Sequence, residues 1–443
     1  MILGVMIGIY VLFALLGAVI YPTTTLVSGL LRTFQRVTFL TAVYALLVLA
    51  LNLHWGYAGL FNIGVAGFMA VAVYAMAMLT NPPTADPPGL GVPGAFADLF
   101  GVVPLGIAPG LGHFLGVLVA IAAGTLVAVL VGAITALPAL RLRADYLAIV
   151  TVALSEIIRL TLVSRTFQTF SIPLTGVELG TGAGLGISLP DNPVRVLYYR
   201  DPGAVASDPN ALGDALFTAA GSLGVDESIV VNTTYTLFLI GVVVVFYWLL
   251  QRIGNSPFGR VLKAIREDES VARALGKDTR RVKIVVFALG CGLMGLAGIL
   301  WEGSKGFTTP GSSTFIPLQT FYVFIALIIG GAGSNTGSVL GAALFAGLLF
   351  EAPPLVANVA TELLGVSGNP GTFAAALATT QPNGIVAYAA TNVFALRFVL
   401  VGVVLVLLMH RRPDGLLGGR KEIAASVDLG RPDPADGGDD GRE

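Results

Sequence analysis

An all-α polytopic membrane protein of about ten transmembrane helices is the fold this sequence predicts, and three observations carry it. Of 443 residues, 55% are hydrophobic and 12% charged, about half the roughly 25% charged fraction of soluble domains. With a mean hydropathy of +0.84, this excludes a soluble globular fold. Apolar runs recur at the length of about twenty residues that a bilayer core of about 30 Å requires. Lys and Arg gather in a few short connections, which orients such a chain.

The runs lie near 2–21, 37–53, 60–80, 113–137, 145–163, 234–250, 283–301, 317–332, 336–353 and 393–409. The first, within MILGVMIGIYVLFALLGAVIYP, lacks the basic start and small-residue cleavage site of a signal peptide, so it is expected to be a retained span. Runs 37–80 and 317–353 are almost continuous and broken only by Gly-rich turns. With ten spans and an interior N-terminus, three basic clusters fall on the cytoplasmic side: Arg141 and Arg143, the segment 252–283, and the residues from Arg411 to Lys421. Arg32 and Arg36 fall on the outer side against the rule, which an interfacial helix near 23–36 or one span fewer or more at the start would repair.

The outer side receives the connections 81–112, 164–233 and 354–392, rich in Pro, Gly, Asn and Asp. At about 70 residues, 164–233 is too long for a plain loop and is expected to hold short elements. Its acidic residues, Glu178, Asp191, Asp201, Asp208, Asp214, Asp226 and Glu227, form either a docking face or a solvated surface. Residues 1–421 are read as the transmembrane domain, and 422–443 as a disordered acidic cytoplasmic tail.

The segment 252–283 is the least expected part of so apolar a chain. Ser256 is placed to cap a helix and Pro257 to occupy its first position; Gly276 before Lys277 reads as a stop. Val261, Ile265, Ala272 and Leu275 would share a helical face interrupted by Asp268, which suggests two short helices meeting near Glu267–Glu269. One reading is an interfacial helix on lipid. The other is a handle for a partner protein, favoured by the acidic residues Glu267, Asp268, Glu269 and Asp278, which anionic lipid repels.

Polar residues within spans form the second set of candidates. Asn52, Asn62 and Tyr146 flank Gly-rich breaks, and Glu156 and Arg159 lie one turn apart in the fifth run. An ionisable group at that depth is either functional or paired, and at i and i+3 the two can neutralise each other. The breaks GYAGLFNIGVAG (56–67) and GGAGSNTG (330–337) mark either a central site between repeats or close helix packing.

Other chemistry finds no support. One cysteine and three histidines (54, 113, 410) argue against a metal site, and no cofactor or catalytic residue is expected. GTGAGLG at 180–186 resembles a nucleotide fingerprint only superficially, because it lies in an outer loop. No G-x-x-x-x-G-K-[ST] occurs, so the chain is not expected to hydrolyse ATP or act as an enzyme alone. A net charge of −1 does not suggest nucleic acid.

Several blocks carry a resemblance to a known family. They are GRVLKAIREDESVARALGKDTRRVKIVVFALGCGLMGLAGIL from Gly259, LNLHWGYAGLFNIGVAGFMAVAVYAM at 51–76, LRLRADYLAIVTVALSEIIRL at 140–160, LIIGGAGSNTGSVLGAAL at 327–344 and RRPDGLLGG at 411–419. Together they resemble the branched-chain amino-acid permeases of ATP-binding cassette (ABC) importers, more closely the LivM-type than the LivH-type subunit. Val65 and Ala144 depart from the family's usual residues. The resemblance implies an ABC importer permease architecture in the plasma membrane, paired with a LivH-type subunit, two cytoplasmic ATP-binding subunits and an extracytoplasmic substrate-binding protein. It also implies that 252–283 is the coupling loop, with Arg266, Glu267, Glu269, Ala272, Ala274 and Gly276 as the ATPase contact. Asn52, Asn62, Tyr146 and Glu156 are the candidates for the translocation pathway. The substrate would be a branched-chain or other hydrophobic amino acid, with urea or a short amide as the alternative within the family. An ion-coupled carrier or a channel-like scaffold remains the alternative outside it.

Overall fold

The computed structural model describes residues 2–21, 26–102, 109–142, 144–173, 176–190, 192–200, 208–363, 370–378 and 382–418. The tail 422–443, together with Arg143, Asp191, Asp201, Arg420 and Lys421, lies outside the described residues.

The chain opens with α1 (Ile2–Ile20) and α2 (Leu26–Leu51), and α2 runs on as a π-helical segment, Asn52–Tyr57. After a non-helical stretch come α3 (Val65–Thr80), α4 (Val92–Val102), α5 (Pro109–Ala139) and α6 (Ala144–Val163). The long connection that follows holds α7 (Ala211–Ser222) and leads into α8 (Glu227–Asn255), α9 (Pro257–Glu267), α10 (Glu269–Ala274) and α11 (Thr279–Glu302). The hairpin of α12 (Pro317–Gly330) and α13 (Asn335–Leu344) passes through a second π segment, Phe345–Glu351, into α14 (Ala352–Leu363). Two short helices, α15 (Phe373–Ala378) and α16 (Pro382–Thr391), precede α17 (Val393–Arg411).

Among the described residues, seven helices are long and apolar enough to cross a membrane, and α3 and α12 are shorter apolar helices. With α17 these correspond to the ten runs. α3 and α12 are short because each abuts a Gly-rich break, where the backbone leaves the helix before a full span is complete.

α2 is the axis of the molecule. Every residue from Leu40 to Leu53 is buried, as expected of a helix apolar on all sides, and it packs against α8, α11, α12 and α13. α11 is the second central helix and packs against α3 and α5. Small residues let these helices close up: a Cβ at Gly295 would lie 2.8 Å from both Ala72 and Ala128. Lipid tails are as apolar as leucine, so such close van der Waals packing is what holds helices together in a bilayer. α1, α5, α6 and α8 instead leave most of their apolar surface outward, towards lipid or a partner chain.

The connection between α6 and α8 does carry short elements. Phe170–Ser171 pairs antiparallel with Glu178–Leu179, and Ile187–Ser188 pairs with Phe307–Thr308, which ties this segment to the end of α11. Three expected boundaries move most: α2 begins at Leu26 rather than near 37, α8 begins at Glu227 rather than near 234, and the ninth span continues through α14 to Leu363 instead of ending near 353.

The expected interfacial helix near 23–36 is not formed, because Arg32 and Arg36 lie on α2 itself. Arg32 pairs with Asp226 at the start of α8, and Arg36 Nε donates to Glu351 Oε1 at 3.0 Å. Both cations are thus matched by acids.

Candidate coupling site

The segment from 256 to 276 folds as its capping residues dictate. Ser256 Oγ accepts the Gly259 N–H at 3.2 Å and starts α9, with Pro257 in its first turn. Asp268 ends α9 in an extended conformation. Its carboxylate then accepts the N–H groups of Ser270 (2.8 Å) and Val271 (3.2 Å), which starts α10. Hydrogen bonds from the Ser270 hydroxyl, and then from these N–H groups, hold the Asp268 carboxyl below its ordinary range. The charge that interrupts the apolar face is therefore the helix boundary. α10 closes as a Schellman motif: Lys277 N–H donates to Ala272 O (3.2 Å), Gly276 N–H to Arg273 O (3.0 Å), and Gly276 takes the left-handed φ of +76°.

The break at Asp268 also resets the helical phase. The inward face consists of Gly259, Leu262, Ile265 and Ala272, whereas Leu275, expected on it, is 72% exposed, and Val271 is exposed too. Ala272, expected at the partner contact, packs within the chain. Of the six residues expected at the partner contact, Arg266, Glu267, Ala274 and Gly276 are exposed.

Arg266 and Glu269 also reach inward. One Arg266 nitrogen donates to Gly56 O at 2.5 Å and the other to Glu267 Oε1 at 2.7 Å. Glu269 receives Arg273 at 3.1 Å and pairs with Lys283 on α11. Partial burial, the largest single influence, raises the Glu269 carboxyl, but the hydrogen bond and charge of Lys283, with Thr279 and Arg273, together outweigh it, and the net shift is downward.

Gly56 lies in the first Gly-rich break, and the second break is directly beneath it. Asn52 Oδ1 accepts the Gly333 N–H at 2.7 Å, and Asn52 Nδ2 donates to Asn335 Oδ1 at 3.0 Å. Asn335 Nδ2 in turn donates to Gln251 Oε1 of α8 at 3.3 Å, and Tyr247 OH meets Thr336 Oγ1 at 2.9 Å. A Cβ at Gly56 would lie 2.0 Å from Asn52 Oδ1 and 2.5 Å from Gly333 N, so only glycine allows the two breaks to touch. The closing segment docks here as well, with Leu416 and Leu417 N–H donating to Ile329 and Gly330 carbonyls. Arg266 is thus the strut between α9 and the point where both breaks, α8 and the segment after α17 converge.

The expected pathway residues do not come together. Asn52 is fully buried in this junction. Asn62, also fully buried, accepts the Gly64 N–H at 2.8 Å and donates to His54 Nδ1 at 3.2 Å. His54 stacks on Phe287 at 5.0 Å, and its Nε2 lies 3.0 Å from Phe287 O, which assigns the Nε2–H tautomer. Both asparagines fasten backbone rather than line an opening. Tyr146 is 59% exposed on the outward face of α6. Glu156 is bound by Arg159 through two bonds of 2.9 and 2.5 Å on that same helix, the mutual neutralisation that their spacing allows.

Sequence reasoning missed His54, Gln251, Asn335 and Lys283. Only His54 carried a local signal, as an imidazole within an apolar run beside a break. It also missed two buried acids at the outer ends of spans: Glu302, paired with Lys305, and Glu351, paired with Arg36. No group of three or more metal-ligating side chains occurs among the described residues.

Comparison with known proteins bears on this arrangement. Residues 33–409 match the family model described as "Branched-chain amino acid transport system / permease component". The chain is 30% identical over 305 residues to the high-affinity branched-chain amino acid transport system permease protein LivM of Escherichia coli, covering 69% of this chain and 60% of that protein. A probable branched-chain amino acid transport permease protein LivM of Methanocaldococcus jannaschii is 26% identical over 313 residues, covering 68% and 75%. A 98-residue stretch is 32% identical to the autoinducer 2 import system permease protein LsrC of Salmonella paratyphi B, 21% of this chain and 28% of that one. No solved structure matches the chain. The helical membrane architecture and a family match that spans all but the ends of the chain lead to one assignment: this is a multi-pass membrane protein of the branched-chain amino acid transport permease family.

Proposed function

We propose that the chain is the LivM-type permease subunit of an ATP-driven importer of branched-chain or other hydrophobic amino acids. It works beside a LivH-type subunit, two cytoplasmic ATP-binding subunits and an extracytoplasmic substrate-binding protein. The observation that carries the proposal is the α9–α10 hairpin, whose outer side is exposed while Arg266 and Glu269 bind it to the convergence of both breaks and to α11. The chain has no phosphate-binding loop of its own, so hydrolysis belongs to the partners and no enzymatic activity is assigned to it.

In this mechanism, closure of the ATP-binding subunits displaces α9 and α10. Val271, Leu275 and Glu267 supply the grip, and Arg266 carries the displacement to Gly56 and Gly333, where α2, α3, α12 and α13 begin or end. Both junctions are irregular backbone, which can take up rotation of the attached helices without breaking a regular ladder. Transport is directional because substrate and ATP bind the two states with different affinity. An ion-coupled carrier has less support, since Glu156, Glu302 and Glu351 each have a basic partner.

Leu275→Asp is expected to weaken retention of the ATP-binding subunits by about tenfold or more, the usual effect of removing a central apolar anchor, while the permease remains folded. Gentle extraction from the native membrane, with mass spectrometry of the co-purifying proteins, measures this. Two ATP-binding subunits and a second permease should accompany the native chain and be depleted with the variant. A native chain that emerged alone or as a homodimer would overturn the proposal.

A further inference from the structure

A partly open cavity of about 650 Å³ is lined by residues of α1, α2, the end of α11 and the connection after it, α12, the second π segment, α14 and α17. This is within the range of about 300–1,000 Å³ for small-molecule sites, and it is far from the coupling junction. Its depth follows from α2: the buried stretch of that helix sets in at Val37, and Arg36, one residue before it, lines the cavity. The cavity therefore sits at the end of α2 remote from the coupling junction.

The lining is chemically unusual for a membrane helix bundle. Arg397 is 9% exposed, with its guanidinium 4.1 Å above the Phe350 ring and 6.0 Å from those of Tyr322 and Phe398. Glu351, also 9% exposed, faces Arg36 at 3.0 Å. Arg36 and Glu351 form one ion pair on this wall, and Lys305 and Glu302 form another. Gln319, 4% exposed, lies beside the Tyr44 hydroxyl, and its amide nitrogen has no bond of normal geometry. Buried charge of this kind marks function in membrane proteins by default.

We propose that this cavity binds a small zwitterion with an aliphatic body: Arg397 and Arg36 take its carboxylate, Glu351 its ammonium, and Phe350, Tyr322 and Phe398 pack on the alkyl group. A carboxylate and an arginine match as a planar pair, and stacking on aromatic rings keeps the Arg397 plane fixed for it. Glu351 sets the preference for a zwitterion over a simple anion, because it would repel a phosphate or fatty-acid head. The choice of an amino acid as ligand rests on the import reading above; the cavity and its charges do not.

The test uses the complete complex in phosphatidylcholine liposomes, without the binding protein. Asn358 is exposed at the cavity rim, and the single native cysteine, Cys291, is buried. In an Asn358→Cys variant, saturating L-isoleucine should slow labelling by an impermeant maleimide about threefold or more, as mass action on an occupied site requires. Isoleucinol, lacking the carboxylate, and 3-methylpentanoate, lacking the amine, should protect less, a comparison that needs no further variant. Adding Arg397→Gln should abolish the protection. Labelling indifferent to isoleucine, or governed by added phosphatidylethanolamine or phosphatidylglycerol, would overturn the proposal, the latter by making the cavity a lipid site. Isoleucine uptake, measured in the same liposomes with the binding protein present, separates the two readings. Uptake without protection rejects the cavity, and protection without uptake rejects amino-acid import.

Discussion

Arg266→Ala is expected to leave the permease folded and its ATP-binding partners attached, yet to lower substrate-stimulated ATP hydrolysis and uptake together by about tenfold or more. A hydrogen bond to a charged group contributes about 1.5–3 kcal/mol, and here it is the bond that joins α9 to the Gly56 carbonyl at 2.5 Å. If that free energy couples the hairpin to the breaks, its loss divides the coupling equilibrium by roughly ten to a hundred. Folding should tolerate the change, because the Arg266 side chain is 37% exposed and Leu262 and Ile265 still seat the helix. Arg266→Lys should recover only part of the coupling, since one ammonium on a flexible stem does not replace a planar fork that spans Gly56 and Glu267. ATP hydrolysis in liposomes, with and without substrate-loaded binding protein, is the measurement. Full stimulation in Arg266→Ala would remove the strut from the mechanism.

A larger effect on the fold is expected at Gly56. A methyl group there meets Asn52 Oδ1 at 2.0 Å and Gly333 N at 2.5 Å. Asn52 cannot swing aside without giving up its bonds to Gly333 and Asn335, and Gly333 is backbone. Overpacking of this kind costs about 1–3 kcal/mol, to which the loss of two buried hydrogen bonds adds. Gly56→Ala should therefore lower the thermal stability of the detergent-purified chain clearly, and Gly56→Val should prevent stable expression. Both would also displace the carbonyl that Arg266 holds, so any Gly56→Ala protein that survives should show the same uncoupling. A Gly56→Ala variant with native melting and native coupling would mean that the two breaks do not touch.

The hairpin was legible in the sequence because its determinants are local. Ser256 and Pro257, Asp268 and Gly276 act within three or four residues of themselves, so residue type and spacing suffice to place them. Phase was harder to read: a single helical wheel drawn across Val261 to Leu275 ignores the extended residue at Asp268, and so it placed Leu275 inward. The apolar runs were legible for the same local reason, while the junction was not. Gly333 is 281 residues from Asn52, and nothing near either residue specifies the other. Arg32 and Arg36 show the same limit. A charge-sidedness rule sees their sign, but it does not see Asp226 and Glu351, 194 and 315 residues away. Tyr146 and Glu156 were grouped with Asn52 and Asn62 because all are polar residues in apolar runs, yet α6 turns Tyr146 outward while the asparagines fasten the interior.

The central claim is that α9 and α10 are a handle held by another protein, not a helix resting on lipid. Photo-cross-linking in native membranes tests it most directly, with the reactive group placed in turn at Leu275, which is 72% exposed, and at Ala272, which is 2% exposed. Position 275 is expected to cross-link to an ATP-binding subunit, with a yield that changes when ATP is trapped, and position 272 is expected to give no cross-link to that subunit. Cross-links from position 275 to lipid alone, unaffected by nucleotide, would contradict it.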